Sequence, residues 1–177
     1  MPDPEKSIHQ ATAKAIQLAA KELREKNATG RLFGFALCTD DDVRTLYHVA
    51  CTADWVQAKE TSYPDVGYIY VEWPDSASGE AFNKISEQLA ELADQEDEDD
   101  EALLAARNRR FDAMVLALVD CRKVKIFDPE TLLCVASTDP GPDLEEMTMR
   151  AVEKLNLPNV VDEFARALGY EHHRTEE

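Results

Sequence analysis

Several features that usually accompany an easily assigned function are missing from this sequence. No apolar run approaches the roughly 20 residues needed to cross a bilayer, and the opening MPDPEKSIHQ is charged and lacks the apolar centre of a signal peptide. The four cysteines, Cys38, Cys51, Cys121 and Cys134, form no CxxC pair. Three of them lie in or beside apolar runs. We therefore expect a cytoplasmic protein whose thiols are reduced and mostly buried.

Positive charge is also scarce in the chain. The 177 residues include 19 Lys and Arg against 36 Asp and Glu, so the formal net charge is -17. Because binding to nucleic acid depends on Lys and Arg, and an anionic membrane repels negative charge, this balance argues against both as partners. It is compatible with a basic protein partner drawn in by long-range attraction, and also with solubility alone.

The motifs that announce catalysis or metal binding are absent as well. There is no GxSxG sequence, no cluster of Cys and His with zinc-ligand spacing, and His172 and His173 are adjacent rather than four apart. Cys51 and His48 are three residues apart on one predicted strand, so they should face opposite sides of a sheet. The sequence therefore predicts no catalytic residue, no cofactor and no metal site. An enzyme of unrecognised type stays open as an alternative.

What the sequence does contain is clear apolar patterning. Apolar residues at helical spacing predict helices over residues 4–26, 53–60, 80–93, 101–120, 143–155 and 158–168. Strands are predicted over residues 32–38, 43–51, 66–73, 124–127 and 132–137, and the first is apolar enough to be buried on both faces. Since strands and helices do not alternate regularly, we predict an α+β fold, with about five mostly antiparallel strands covered by helices. We expect a single domain over residues 1–177, with frayed ends at residues 1–3 and 170–177.

Two acidic segments are the candidate binding elements. The first is a run of three aspartates after residue 39, and the second, DQEDEDDE at residues 94–101, has seven acidic residues in eight and is predicted as an acidic loop leading into a helix. Adjacent aspartates without a following glycine do not match a calcium loop, so a solvated turn is predicted for the first. Chosen on charge density, the candidate partner-binding residues are Asp40, Asp41, Asp42, Asp94, Glu96, Asp97, Glu98, Asp99, Asp100 and Glu101.

Two further groups of residues allow more than one interpretation. Arg107, Arg109 and Arg110 could pair with the preceding acidic segment or bind an anion, although no Gly-rich or Ser/Thr element accompanies them. Tyr68 and Tyr70 alternate along the predicted strand 66–73, which favours a half-covered sheet. An aromatic platform for nucleic-acid bases is the alternative, and the net charge opposes it.

Short stretches along most of the chain resemble the bacterial DUF4303 family. They are FGFAL at residues 33–37 with the acidic turn, LYHVA at 46–50, EW at 72–73 followed by Phe82, VASTD at 135–139 and LNLP at 155–158. The chain differs from the family in having Leu157 where proline is usual and in carrying the DQEDEDDE segment. The family has no established catalytic residues, so the resemblance transfers none.

The resemblance implies a protein-binding function. Small acidic bacterial proteins of this kind are similar to immunity proteins of polymorphic or type VI toxin systems, which bind and block a toxin. We therefore expect an immunity-type protein that neutralises a cognate toxin or effector with a basic surface, by direct binding through an acidic face. The alternatives are a hydrolase that reverses a toxin's modification, and a structural or adaptor protein unrelated to toxins.

Overall fold

The computed structural model describes residues 4–27, 30–77, 79–95, 100–139 and 141–170. Within these residues the helices are α1 (Pro4–Lys26), α2 (Ala53–Glu60), α3 (Gly79–Ala93), α4 (Asp100–Lys123), α5 (Pro142–Leu155) and α6 (Pro158–Leu168). The strands are β1 (Leu32–Thr39), β2 (Tyr47–Thr52), β3 (Asp75–Ala77) and β4 (Leu132–Ser137). Two single-turn 3₁₀ helices, Val66–Tyr68 and Tyr70–Glu72, precede β3.

The strands form one mixed sheet in the order β3-β2-β1-β4. The β1–β2 and β2–β3 pairs are antiparallel, whereas β1 and β4 are parallel. The α+β class is confirmed, and two of the three pairings are antiparallel, as predicted. The prediction of about five strands is wrong: the described residues contain four, and the sheet is mixed because β1 and β4 run parallel. The central strand β1 is buried on both faces along most of its length, as its continuous apolar run predicts.

Each face of the sheet carries its own core. Phe35, Leu37 and Ala50 point to one side, which α1, α3 and α4 cover; we call it the helical face. Their neighbours on the strands point to the other side, which α2, α6, the 3₁₀ helices and Trp73 cover; we call it the aromatic face. Helix α5 lies along β4 and contributes side chains to both cores.

The predicted strand at residues 66–73 is instead the pair of 3₁₀ helices. In a 3₁₀ helix side chains three residues apart lie on the same side, so Tyr70 and Trp73 both reach the aromatic face, whereas a strand with its alternating side chains would separate them. Trp73 packs directly on Gly34, where an added Cβ would lie 2.2 Å from its ring. Tertiary packing of the aromatic rings therefore overrides the strand propensity of this segment.

The predicted strand at residues 124–127 is the C-terminal cap of α4. Lys125 has a positive φ of 60°, the Ile126 N–H donates to the Cys121 carbonyl at 2.9 Å, and the Lys125 N–H donates to the Arg122 carbonyl at 3.0 Å. These two bonds are those of a Schellman motif, which satisfies carbonyl groups at the end of a helix. The helix therefore runs to Lys123 rather than to residue 120, and Phe127 turns back into the core.

Two strand boundaries also differ from the prediction. Strand β2 begins at Tyr47 rather than Val43, because Val43 lies in the preceding turn with φ 55°. No element was predicted at Asp75 and Ser76, which belong to the edge strand β3 that pairs with β2. Thr52 caps α2 by accepting from the Trp55 N–H at 3.3 Å, and Gly169 ends α6 in the left-handed region.

The Asn156 side chain covers part of the outer edge of β4. The Asn156 amide accepts from the Leu133 N–H at 2.8 Å and donates to the Leu133 carbonyl at 2.7 Å, as a neighbouring strand would. It also donates to the Val152 carbonyl at 2.8 Å, and Arg122 contacts its oxygen at 3.3 Å. Because unpaired edge groups invite pairing with another chain, Asn156 both fixes α5 to the sheet and blocks part of that edge.

All four cysteines are buried and unpaired. Across the described ranges, no helix combines the length and the apolar character needed to cross a membrane.

Candidate protein-binding surface

The first acidic segment forms a tight turn after β1. The Asp40 carboxylate accepts from the Arg44 backbone N–H at 2.7 Å, and the Asp40 N–H donates to Thr45 Oγ1 at 3.2 Å. The side chains of Asp41 and Asp42 are exposed. Asp40 therefore stabilises the turn through its hydrogen bonds, and Asp41 and Asp42 expose their carboxylates to solvent.

Val43 holds this turn in an uncommon backbone conformation. Its φ is 55°, which a β-branched residue adopts at a steric cost of roughly 1–3 kcal/mol. The side chain is 0% exposed and belongs to the core of the helical face. Burial of the isopropyl group offsets the strain, so the acidic turn is anchored to the core and keeps a fixed shape.

Two arginines attach the turn to the helices beneath it. Arg110 of α4, only 4% exposed, donates from Nη2 to the Asp42 carbonyl at 2.9 Å. Arg44 forms an ion pair with Asp94, directly after α3. The hydrogen bond and charge of Asp94 raise the pKa of the Arg44 guanidinium, with smaller contributions from Asp42 and Asp40. Arg44 thus joins two acidic segments that lie fifty residues apart in the chain.

The second acidic segment is described at its two ends. Asp94 follows the end of α3, whereas Asp100 and Glu101 are the first two residues of α4. Their carboxylates lie in the first helical turn, where negative charge is favourable beside the unpaired backbone N–H groups. Asp100 and Glu101, predicted as part of an acidic loop, therefore belong to a helix. The candidates Glu96, Asp97, Glu98 and Asp99 lie outside the described residues.

Five candidate residues are exposed, namely Asp41, Asp42, Asp94, Asp100 and Glu101, and we call this set the acidic surface. Six peptide units separate Asp94 from Asp100, so their Cα atoms lie at most about 21 Å apart. Carboxylates at the surface keep their hydration and their charge, and their summed field extends over about one Debye length, roughly 8–10 Å in physiological salt. Such a surface attracts Lys and Arg side chains of another protein.

Other residues considered for chemistry are held in structural roles. His48 stacks on Phe35 with ring centres 5.2 Å apart on the helical face, while Cys51 lies in the core of the aromatic face. Burial raises the pKa of the Cys51 thiol to about 12, so at neutral pH it is not a thiolate nucleophile. Among the residues with described positions, no group of three or more His, Cys, Asp or Glu is arranged to hold a metal ion.

The two tyrosines of the 3₁₀ segment do not form an open stacking platform. Both are partly buried against the aromatic face. The Tyr68 hydroxyl donates to the Glu163 carboxylate, and the Tyr70 hydroxyl donates to the Ser137 carbonyl at 3.1 Å. Burial is the main cause that raises the pKa of both phenols, with Glu163 adding to the effect at Tyr68. These rings therefore pack the sheet and do not offer free faces to bases.

Comparison with models of known protein families finds a match. The family model described as a domain of unknown function, DUF4303, matches residues 13–157. The chain belongs to the DUF4303 family. The matched region of this DUF4303 protein spans the whole sheet, the acidic turn and the complete DQEDEDDE segment. No curated protein and no solved structure matched the chain.

Sequence reasoning selected the acidic residues of this DUF4303 protein but missed the residues that position them. Arg44 lies within the predicted strand 43–51, and its ion pair with Asp94, fifty positions away, has no local signal. Val43 was missed because its apolar character fits a strand as well as a buried turn. The contact of Arg110 with the Asp42 carbonyl joins residues 68 positions apart, and no local pattern encodes it.

Proposed function

We propose that this DUF4303 protein is an immunity-type protein that neutralises a cognate bacterial toxin or effector by binding it through the acidic surface. The observation that best supports the proposal is the Arg44–Asp94 ion pair, which brings two acidic segments distant in sequence into one surface. The protein would act in the cytoplasm, on a toxin of a polymorphic or type VI system that carries a basic surface.

Net charge supports this choice of partner. With a formal charge of -17 the chain repels polyanions, and its exposed carboxylates accelerate encounter with a basic protein. Electrostatic steering can raise association rates by about 10–1,000-fold at low salt. An immunity protein benefits from such steering because it must capture its toxin before the toxin reaches its target.

The fixed shape of the acidic turn also supports binding. The buried Val43 and the hydrogen bonds of Asp40 and Arg110 hold the turn before any partner arrives. A preorganised surface avoids the cost of ordering side chains and loops on association, about 0.5–1.5 kcal/mol for each immobilised side chain. Backbone strain of the kind seen at Val43 is concentrated at functional sites.

The test is binding to the toxin candidate encoded beside this gene. The variant Asp41→Asn/Asp42→Asn removes two charges but keeps side-chain size and the backbone carbonyl that Arg110 contacts. We expect its dissociation constant to rise at least about tenfold, mostly through slower association, with a weaker dependence on salt. Biolayer interferometry at several salt concentrations measures all three quantities.

The matched control is Glu22→Gln/Glu153→Gln, which removes the same number of charges from exposed positions in α1 and α5. Its affinity should remain within about threefold of the parent chain, since distant surface charges contribute weakly. If both variants lowered the affinity equally, the effect would come from the overall charge of the chain and not from the acidic surface. Absence of binding by the parent chain at any salt concentration contradicts the proposal.

A further inference from the structure

The cleft between α4 and α5 lies outside the acidic surface and has a different character. Its volume is about 280 Å³. The floor is apolar and formed by Phe111 and Val115 of α4 and Met147 and Ala151 of α5, all buried. An apolar floor of this size accommodates a small ring or a short aliphatic body.

Cations lie along one side of this cleft. Arg150 and Lys154 line it from α5, one helical turn apart. Arg107 of α4 lies one turn before Phe111, and its Nη2 is 3.9 Å from the Sδ of Met147, so its guanidinium lies beside the floor. Two positive side chains therefore line an apolar depression, and a third lies beside it, in a strongly acidic protein.

These cations are poorly matched with carboxylates, although acidic residues outnumber basic ones 36 to 19. Within the described part of the chain Lys154 makes no ion pair, and the contact between Arg150 and Glu146 is long, at 3.9 Å. The Nε of Arg107 is buried and has no hydrogen-bond partner among the described residues, and its Nη2 contacts the thioether of Met147. An anion in the cleft would accept charge-assisted hydrogen bonds from the exposed side chains of Arg150 and Lys154.

We infer that the α4–α5 cleft binds a small organic anion, one that carries a carboxylate or phosphate group on an apolar body. The apolar body covers Phe111 and Met147, and the anionic group lies toward Arg107, Arg150 and Lys154. Asp112, which lines the cleft from α4, directs the negative end away from its own carboxylate. This inference does not rest on the proposed function, because none of these residues belongs to the acidic surface.

The probes are benzoate and phenyl phosphate, with benzamide as the neutral control of the same shape and inorganic phosphate as the control without an apolar body. In titrations followed by ¹H–¹⁵N NMR, we expect saturable shifts confined to residues 107–115 and 147–154. A dissociation constant of about 1 mM is typical of ligands of this size. Benzamide and inorganic phosphate should each bind at least about tenfold more weakly. The tighter of the two organic anions identifies whether the site prefers a carboxylate or a phosphate.

Charge variants test which side chains hold the anion. Arg150→Gln/Lys154→Gln should weaken binding of the preferred probe at least about tenfold, whereas the matched control Lys14→Gln/Lys59→Gln should leave it within about twofold. Asp112→Asn should strengthen binding a fewfold, about threefold, because it removes the opposing charge. Three results would overturn the inference. They are shifts at residues outside the cleft, no saturable shift up to about 20 mM of either organic anion, and equal affinity of the two double variants for the probe.

Discussion

The two faces of the sheet are built by different means. The helical face is covered by three helices of 15 to 24 residues that bury mostly aliphatic side chains. The aromatic face is covered by short elements, α2 with 8 residues, α6 with 11 and two 3₁₀ turns, which depend on Trp73 and neighbouring tyrosines. Long helices gain stability from many contacts, whereas short ones need individual close fits. We therefore expect single substitutions to be most damaging on the aromatic face.

The largest effect is expected from Gly34→Ala. The added Cβ would lie 2.2 Å from the Trp73 ring, which is buried and fixed by its Nε1 donating to the Gly67 carbonyl at 3.2 Å. We expect a loss of at least about 3 kcal/mol in the free energy of unfolding, measured with urea.

A second substitution isolates this clash. In a Trp73→Leu background the additional cost of Gly34→Ala should fall by more than about 1 kcal/mol, since the ring that it strikes is gone. Gly141→Ser, with no atom within 4 Å of the added Cβ, should change stability by less than about 0.5 kcal/mol. An equal cost of Gly34→Ala with and without Trp73 would contradict the close fit.

The next effect concerns the edge of β4, where α5 contributes to both faces. Asn156→Leu removes the amide that pairs with both backbone groups of Leu133 and leaves them without a partner. We expect a loss of about 3 kcal/mol by urea unfolding. Asn156→Asp keeps the acceptor for the Leu133 N–H but cannot donate to its carbonyl, so it should cost less. A loss below about 1 kcal/mol for Asn156→Leu would show that the edge does not need this amide.

Thiol labelling compares the stability of the two faces directly. Burial raises the pKa of Cys51 on the aromatic face to about 12 and that of Cys121 on the helical face to about 11, so labelling at pH 8 requires local opening. Two variants are compared, each of which retains one of these cysteines and has the other three replaced by alanine. After division by the labelling rate of the unfolded chain, Cys51 should react at least about tenfold faster than Cys121. Faster labelling of Cys121 would reverse the comparison.

The smallest effect is expected at Val43, at the end of the helical face. Val43→Ala loses two buried methyl groups but keeps the positive φ, while Val43→Gly loses the Cβ as well and relieves the strain. The glycine variant should therefore be more stable than the alanine variant by about 1 kcal/mol, the reverse of the usual order. Thermal or urea unfolding of the two variants measures this difference in stability. If the alanine variant were the more stable, the turn would be unstrained.

The sequence predicted the helical face better than the aromatic one, for a physical reason. Helix α1 repeats its apolar residues at helical spacing over 23 residues, and its predicted bounds were confirmed. The segment at residues 66–73 carries β-branched and aromatic residues that fit a strand equally well, and tertiary contacts such as that of Trp73 with Gly34 favour its 3₁₀ conformation. The prediction for residues 124–127 was wrong for a similar reason, because the composition of this segment is that of a strand although it caps a helix.

The candidate surface shows the same division. Charge density alone located the acidic residues, since a run of carboxylates is visible in any sequence. Their arrangement depends on Arg44 with Asp94 and on Arg110 with Asp42, contacts across 50 and 68 positions. Contacts at such separations depend on the fold as a whole, so they could not be inferred from local pattern.

Hydrogen exchange of the chain, alone and saturated with its toxin partner, tests the central claim most directly. If the acidic surface binds the toxin, slowed exchange should be concentrated in peptides covering residues 40–46 and 91–105, with little change in α6 and along the α4–α5 cleft. Protection confined to α6, the 3₁₀ segment or the cleft, with none at residues 40–46, would contradict the assignment of the acidic surface as the binding site.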